Sequence, residues 1–393
     1  MKEWKTYKLG ELINIQSGGT PNKAVTAYWG GNIPWISAKT MYVDFITDSD
    51  IHITEEGLKN GSKLAPVGSV LLLTRGSGLF NRIPVCLVKE AVAYNQDIKC
   101  ITVKDNSITS NTFIFFWLYS QKELLSGILE TTGIGAGKID SSRLLEINVT
   151  LPDIETQNKF ILLCSSIFEK IEINKQINDN LEQQAQAAFN NIIANTTSDK
   201  TVQLSEIAWL NPKRSISKGK VARSIEMAHL PTTGSFPSGW EMKEYNGGMK
   251  FQNGDTLMAR ITPCLENGKV AFVNFLEDDE IAFGSTEYIT MTPKRQFAPE
   301  VLYFLVRNAE FIDFAVKNMN GSSGRQRVSA DTIGTFELPD ITLEELHMLE
   351  TIAREALTKI KYNSLENMRL AEMRDTLLPK LMSGELKTNE IDC

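Results

Sequence analysis

Leu151-Pro152-Asp153-Ile154 recurs as Leu338-Pro339-Asp340-Ile341, 187 residues later, and each copy opens a long run free of Gly and Pro. Within the first run Phe160, Cys164, Ile167, Ile171, Asn174, Asn178, Leu181, Ala185, Ala188 and Ile192 alternate in steps of four and three. That spacing is the a/d seam of a helix that packs lengthwise on another. The second run repeats it as Leu349, Ala353, Ala356, Ile360, Asn363, Asn367, Leu370, Arg374, Leu377 and Leu381, at a constant offset of 189. Both seams carry two asparagines at matching positions. A polar seam residue costs stability but fixes register, since Asn facing Asn can hydrogen-bond and Asn facing Leu cannot.

Working outward, the sections before each run also echo one another. Leu9-Gly10-Glu11-Leu12 matches Leu204-Ser205-Glu206-Ile207, the GSVLLLTR run at 68–75 matches GDTLMAR at 254–260, and Phe115-Phe116-Trp117-Leu118 matches Tyr303-Phe304-Leu305-Val306. Short β-branched and aromatic runs predict strands over Val67–Thr74, Ile83–Val88, Ile98–Val103, Leu257–Ile261, Lys269–Asn274 and Tyr288–Met291. Helices are predicted over Thr112–Leu125 and Pro299–Phe314, and the two aromatic runs are expected in the core. The layout is globular, helix, globular, helix, an α+β chain in two halves joined by the polar linker Asn195–Lys200.

At 393 residues, 42% hydrophobic and 23% charged, the chain has the composition of an ordinary globular protein of two or three domains. No stretch reaches the ~18 consecutive apolar residues of a membrane span, and Glu3 and Glu11 fall where a signal peptide needs an apolar core; a cytoplasmic protein is expected. The net charge of −7 argues against nucleic acid only until it is mapped. The acid excess lies in 151–200 (4 basic, 7 acidic) and 338–393 (7 and 11), whereas 1–150 (15 and 14) and 201–337 (15 and 16) are near neutral. Neutral domains can carry a basic face.

Catalytic and metal chemistry finds no foothold. Cys86, Cys100, Cys164, Cys264 and Cys393 form no CxxC pair, and His52, His229 and His347 are far apart. Gly133-Ile134-Gly135-Ala136-Gly137-Lys138 lacks the flanking residues of a phosphate loop, having Thr132 and Ile139 where Gly and Ser or Thr are needed. Asn211-Pro212 is followed by Lys213, which breaks the amino-methyltransferase pattern, and the ExK triplets Glu3-Trp4-Lys5 and Glu385-Leu386-Lys387 lack an upstream Pro-Asp at nuclease spacing. No catalytic residue, cofactor or metal is expected. An adaptor that binds proteins through two β-rich modules stays open on these grounds, as does an enzyme with an unrecognised site.

A resemblance favours another reading. Leu9-Gly10-Glu11-Leu12, Ser17-Gly18-Gly19-Thr20-Pro21, Tyr28-Trp29 and Ile33-Pro34-Trp35-Ile36, with the ending Leu377-Leu378-Pro379-Lys380-Leu381-Met382-Ser383-Gly384-Glu385-Leu386, resemble the specificity subunit of type I restriction-modification systems. The chain departs from that family at Ile154-Glu155-Thr156-Gln157 and Ile341-Thr342-Leu343-Glu344, where Glu-Gln usually precedes the helix. The resemblance implies target recognition domains at 1–153 and 196–340, a spacer helix at 154–195, and a second helix with a C-terminal conserved region at 341–393. The helices would pair as an antiparallel coiled coil whose register Asn174, Asn178, Asn363 and Asn367 set. Each domain would read half of a bipartite double-stranded DNA target. Two methyltransferase subunits and restriction/translocase subunits would assemble on the chain, which itself would be non-catalytic. Base edges are read by long donors and amides on polar loops at strand ends. The candidates are Lys39, Arg75, Arg82, Asn95, Gln96 and Lys138 in the first half, and Arg260, Asn267, Lys269, Arg325, Gln326 and Arg327 in the second.

Overall fold

The computed structural model describes residues 4–386 except 134, 197, 295, 296 and 323. Glu3, Ile134, Thr197 of the expected linker, Ser323, Lys387 and Cys393 therefore lie outside the described residues. The chain forms two compact units, Met1–Lys170 with Leu370–Cys393, and Ile171–Arg369. The long helices, Ile154–Asn195 and Leu343–Ser383, each supply residues to both.

In the first unit one sheet runs, in spatial order, Ile13–Ser17, Ile98–Val103, Val70–Leu73, Val85–Val88 and Phe45–Ile46. Its neighbours are antiparallel except the last pair. A second sheet runs His52–Ile53, Trp29–Ile36, Val92–Tyr94 and Lys63–Ala65, with a parallel central pair. The Val70–Leu73 strand is buried on both faces, which explains its unbroken apolar reading. Leu71 and Leu73 join Ile36, Cys86 and Tyr94 in one core, while Val70 and Leu72 face a second core with the aromatic helix Asn111–Ser120. Phe113 to Tyr119 are all buried there, beside Phe160 and Phe168 of the first long helix and Leu378 and Leu381 of the second.

The second unit repeats this plan. Its first sheet runs Ala208–Leu210, Tyr288–Pro293, Thr256–Ala259 and Val270–Phe272, antiparallel throughout. Its second sheet runs Glu241–Glu244, Val221–Ile225, Ala282–Gly284 and Met249–Phe251, again with a parallel central pair. The alternation recurs too: Leu257 and Ala259 face one core and Met258 the other.

The helices expected over Thr112–Leu125 and Pro299–Phe314 are each two. The first breaks at Gln121, between Asn111–Ser120 and Lys122–Gly127. The second breaks between Pro299–Val306 and Ala309–Lys317, where the Asn308 side chain accepts from the N–H groups of Glu310 (2.9 Å) and Phe311 (3.3 Å). Capping by Asn restarts a helix that an apolar count alone would run through.

The long helices begin on side-chain caps. Asp153 Oδ1 accepts from Thr156 N–H (2.9 Å), and Thr342 and Glu345 form a reciprocal capping box. Within the second unit the helices pair antiparallel: Asn174 donates to Asn367 Oδ1 (2.9 Å) and Asn363 donates to Asn178 Oδ1 (2.8 Å). Asn174 also donates to Glu366 Oε2 (2.7 Å), and Asn178 to Ser364 Oγ (3.2 Å). Within the first unit Leu163, Cys164, Ile167 and Phe168 meet Arg374, Leu377, Leu378 and Leu381.

Candidate nucleic-acid interface

The strand Val70–Leu73 ends at Thr74, whose N–H (2.8 Å) and hydroxyl (2.9 Å) both donate to the Asp97 carbonyl. The chain then re-forms a short strand, Arg75–Gly76, antiparallel to Gly137–Ile139, with Arg75 opposite Lys138 and Gly76 opposite Gly137. Two expected readers from distant parts of the sequence thus become ladder neighbours. A third cation joins them. Lys99 takes the outward, alternate position of Ile98-Lys99-Cys100 and donates to Ser17 Oγ. Burial first, then the nearby Arg75 charge, lower the Lys99 pKa; Lys138 acts in the same direction and Asp97 opposes it. Cations crowded in this way gain from an anion brought among them.

Beside this cluster Gln96 is exposed and accepts the Thr20 hydroxyl at 2.7 Å. Asn95 is turned inward: it is 7% exposed, its Nδ2 donates to Asp97 Oδ2 (3.3 Å) and its Oδ1 accepts from Asp97 N–H (3.1 Å). Lys138 also pairs with Asp140 at 3.7 Å. Lys39 is exposed on the turn Ala38–Thr40. Arg82 pairs elsewhere, with Asp44 at 3.6 Å, a carboxylate that also accepts from Arg374 at 3.4 Å.

The second unit builds the same edge with other residues. Ile261 and Arg327 form a bridge where the first unit has Arg75 and Lys138, and Asn320 pairs with Arg327 through two 2.9 Å bonds. Gly321 (φ +129°) and Gly324 (φ +78°) take the positive-φ backbone that returns the chain to this pairing. Arg260 N–H donates to the Glu287 carbonyl at 3.0 Å, the counterpart of the Thr74–Asp97 bond. The Glu287 carboxylate then accepts from Arg260 Nε (3.1 Å), and from Arg327 through Nε (2.9 and 3.0 Å) and Nη2 (2.8 Å). Arg327, ahead of Arg260, holds the Glu287 carboxyl below the usual carboxylate range despite partial burial.

Arg325 is exposed, and the half-buried Gln326 accepts from Thr262 N–H through its carbonyl at 3.0 Å. Asn267 is exposed on the turn after Pro263, and Lys269 donates to the Met227 carbonyl at 2.6 Å. Lys99 and Glu287, which complete these two charge clusters, are not among the expected readers. Lys99 was signalled by a lone cation at an alternate position of an apolar strand. Glu287 was signalled by standing just before Tyr288–Pro293, as Asp97 stands before Ile98–Val103.

Elsewhere reactive chemistry is muted. Burial pushes the Cys164 thiol up to about 12 and raises Cys86 further, so both stay protonated at neutral pH. Among the described residues no cluster of His, Cys, Asp and Glu could hold a metal ion, and no helix is long and apolar enough to cross a membrane.

A duplicated two-sheet module, with a cation-bearing edge in each copy and a long helix after each, makes a two-module scaffold. Residues 1–183 match the type I restriction modification DNA specificity domain. The MjaIX type I restriction enzyme specificity subunit of Methanocaldococcus jannaschii is 25% identical over 99% of this chain and 95% of its own. The EcoR124I/EcoR124II specificity subunit of Escherichia coli is 33% identical over 40% of this chain and 39% of its own. In fold, the crystal structure of the type I restriction-modification S subunit from M. genitalium superposes with a TM-score of 0.60 at 16% identity, covering 96% of both chains. The first 183 residues thus match a type I specificity-domain model, and nearly the whole chain is similar to a type I restriction enzyme specificity subunit.

Proposed function

We propose that the chain is the sequence-reading subunit of a cytoplasmic type I restriction-modification complex, with 1–153 and 196–340 as its two target recognition domains. Each domain reads one half of a bipartite double-stranded DNA target. The helical regions 154–195 and 341–393 set the spacing between the halves and dock two methyltransferase subunits, with restriction/translocase subunits joining that assembly. Asn174, Asn178, Asn363 and Asn367 hold the helices in register.

The observation that carries this reading is the equivalent placement of cations in both modules: Arg75 and Lys138 on one ladder, Arg327 on its counterpart. Donors repeated at one structural position, on loops that differ in sequence, suit two readers of different half-sites better than two copies of one protein-binding face. The acid-rich helical segments suit a protein partner better than DNA.

The test is methylation mapping of cells with and without this gene, together with gel shifts of the chain alone and with its methyltransferase partner. A split motif that vanishes with the gene, and specific binding gained with the partner, are expected. Unchanged methylation and no specific binding in either gel shift would overturn the reading.

A further inference from the structure

The geometry points to Glu287 as a positioning residue for DNA readout, holding Arg260 as the guanine reader of the second module while Arg327 serves as the anchor. This inference rests on the recognition role proposed above.

The two arginines reach the same carboxylate by different edges. Arg327 spends Nε and Nη2 on Glu287 and donates through Nη1 to the Arg325 carbonyl at 3.1 Å, so its fork is tied to its own loop. Arg260 gives Glu287 only Nε, and both its backbone N–H and its carbonyl are fixed, to the Glu287 carbonyl and to Val328 N–H (3.0 Å each). Among the described residues no hydrogen bond engages its two terminal nitrogens, and the side chain remains one-third exposed. A planar pair of donors on a fixed guanidinium matches the O6 and N7 acceptors of guanine in the major groove.

Glu287 does more than neutralise. An unheld arginine pays conformational entropy on binding and can turn to a phosphate instead, which adds affinity without sequence. Tying Nε fixes the plane of the guanidinium before DNA arrives. The carboxylate also subtracts one positive charge from the edge, which weakens non-specific attraction. Asp97, at the corresponding position of the first module, holds the Asn95 amide in the same manner.

The experiment compares the wild-type full chain with Glu287→Gln, Arg260→Lys and the double variant, each assembled with its methyltransferase partner. Methylated motifs are mapped, and binding to matched, single-mismatch and random duplexes is measured across salt. Glu287→Gln is expected to lower discrimination about 5- to 150-fold at one G·C pair of a single half-site. It should also raise affinity for random DNA and steepen the salt slope by about one unit. Arg260→Lys, which keeps the charge pair and its contribution to folding, should relax the same base pair, and the double variant should lose no more than the worse single. A uniform loss over a half-site with a lowered melting temperature would make Glu287 merely structural and overturn the proposal. Arg260→Lys with the wild-type letters would overturn it equally. A wild-type complex without any bipartite motif would instead refute the recognition role beneath it.

Discussion

Glu182 leaves the first long helix into the core of the second unit, where it is 9% exposed, accepts the Tyr303 hydroxyl at 2.6 Å and faces Arg307 Nε at 3.6 Å. Burial raises its pKa, outweighing the opposing Tyr303 bond and Arg307 charge. The folded chain thus holds this proton more tightly than the unfolded one. The group favours folding below the ordinary carboxylate range and loses that contribution as pH rises through its raised value. Glu182→Gln should stay within about 1 kcal/mol of wild type at pH 7, because an acceptor for Tyr303 survives. Glu182→Ala should cost about 1–3 kcal/mol by orphaning a buried hydroxyl. Urea unfolding at pH 5 and pH 7 checks both, and only Gln and Ala should flatten the pH dependence. At the proposed DNA-reading edge, Arg75→Ala should weaken discrimination in the first module's half-site by about 1–3 kcal/mol and leave the other half-site unchanged, measured on mismatched duplexes. The candidates Arg75 and Lys138 stand out in the sequence as long donors in glycine-rich loops. Lys99 and Glu287 carry only a positional signal, since one acquires its neighbours through strand pairing and the other is a carboxylate that a search for donors passes over.

The seam asparagines show what an element adds to a residue pattern. Their heptad spacing gave the helices and the face, but Glu366 and Ser364, which complete the network, are off the ladder and were invisible to it. Changing Asn174 and Asn178 together to Leu leaves Asn363 and Asn367 facing apolar groups. That variant should lose about 1–3 kcal/mol by stranding buried amides. Changing all four to Leu removes both sides of each bond, and should recover wild-type stability or exceed it while admitting wrong registers or oligomers. Urea unfolding with light scattering on the full chain separates the outcomes; equal stability of the two variants would show that the amides do not bond across the helices. The same limit explains the split helices. Apolar counts over Pro299–Phe314 see a continuous helix, and only the Asn308 cap, a local polar bond, ends one and starts the next.

At the scale of the whole molecule the repeat was the readable signal, because four short echoes in one order require one topology twice. What it could not give was the two-sheet arrangement within each module: the Trp29–Ile36 and Val221–Ile225 sheets are built from less similar stretches, yet both have a parallel central pair flanked by antiparallel outer strands. Such divergence over a shared frame is what modular readout needs. Exchanging 1–153 for the corresponding segment of a relative should therefore change one half of the methylated motif and not the other. The spacer can be tested without disturbing either unit, because both helices pass from one to the other at definite points, between Lys170 and Ile171 and between Arg369 and Leu370. Seven residues inserted at both points add one heptad to each helix and return the seam to the same face. At 1.5 Å per residue the pair lengthens by at most about 10.5 Å, or three steps of DNA at about 3.4 Å each. Tilt of the pair against the DNA axis can only shorten that projection. Methylation mapping of the doubly extended chain should return both half-site sequences unchanged with two or three more unread base pairs between them. An active complex with the original spacing would show that something other than helix length measures the gap.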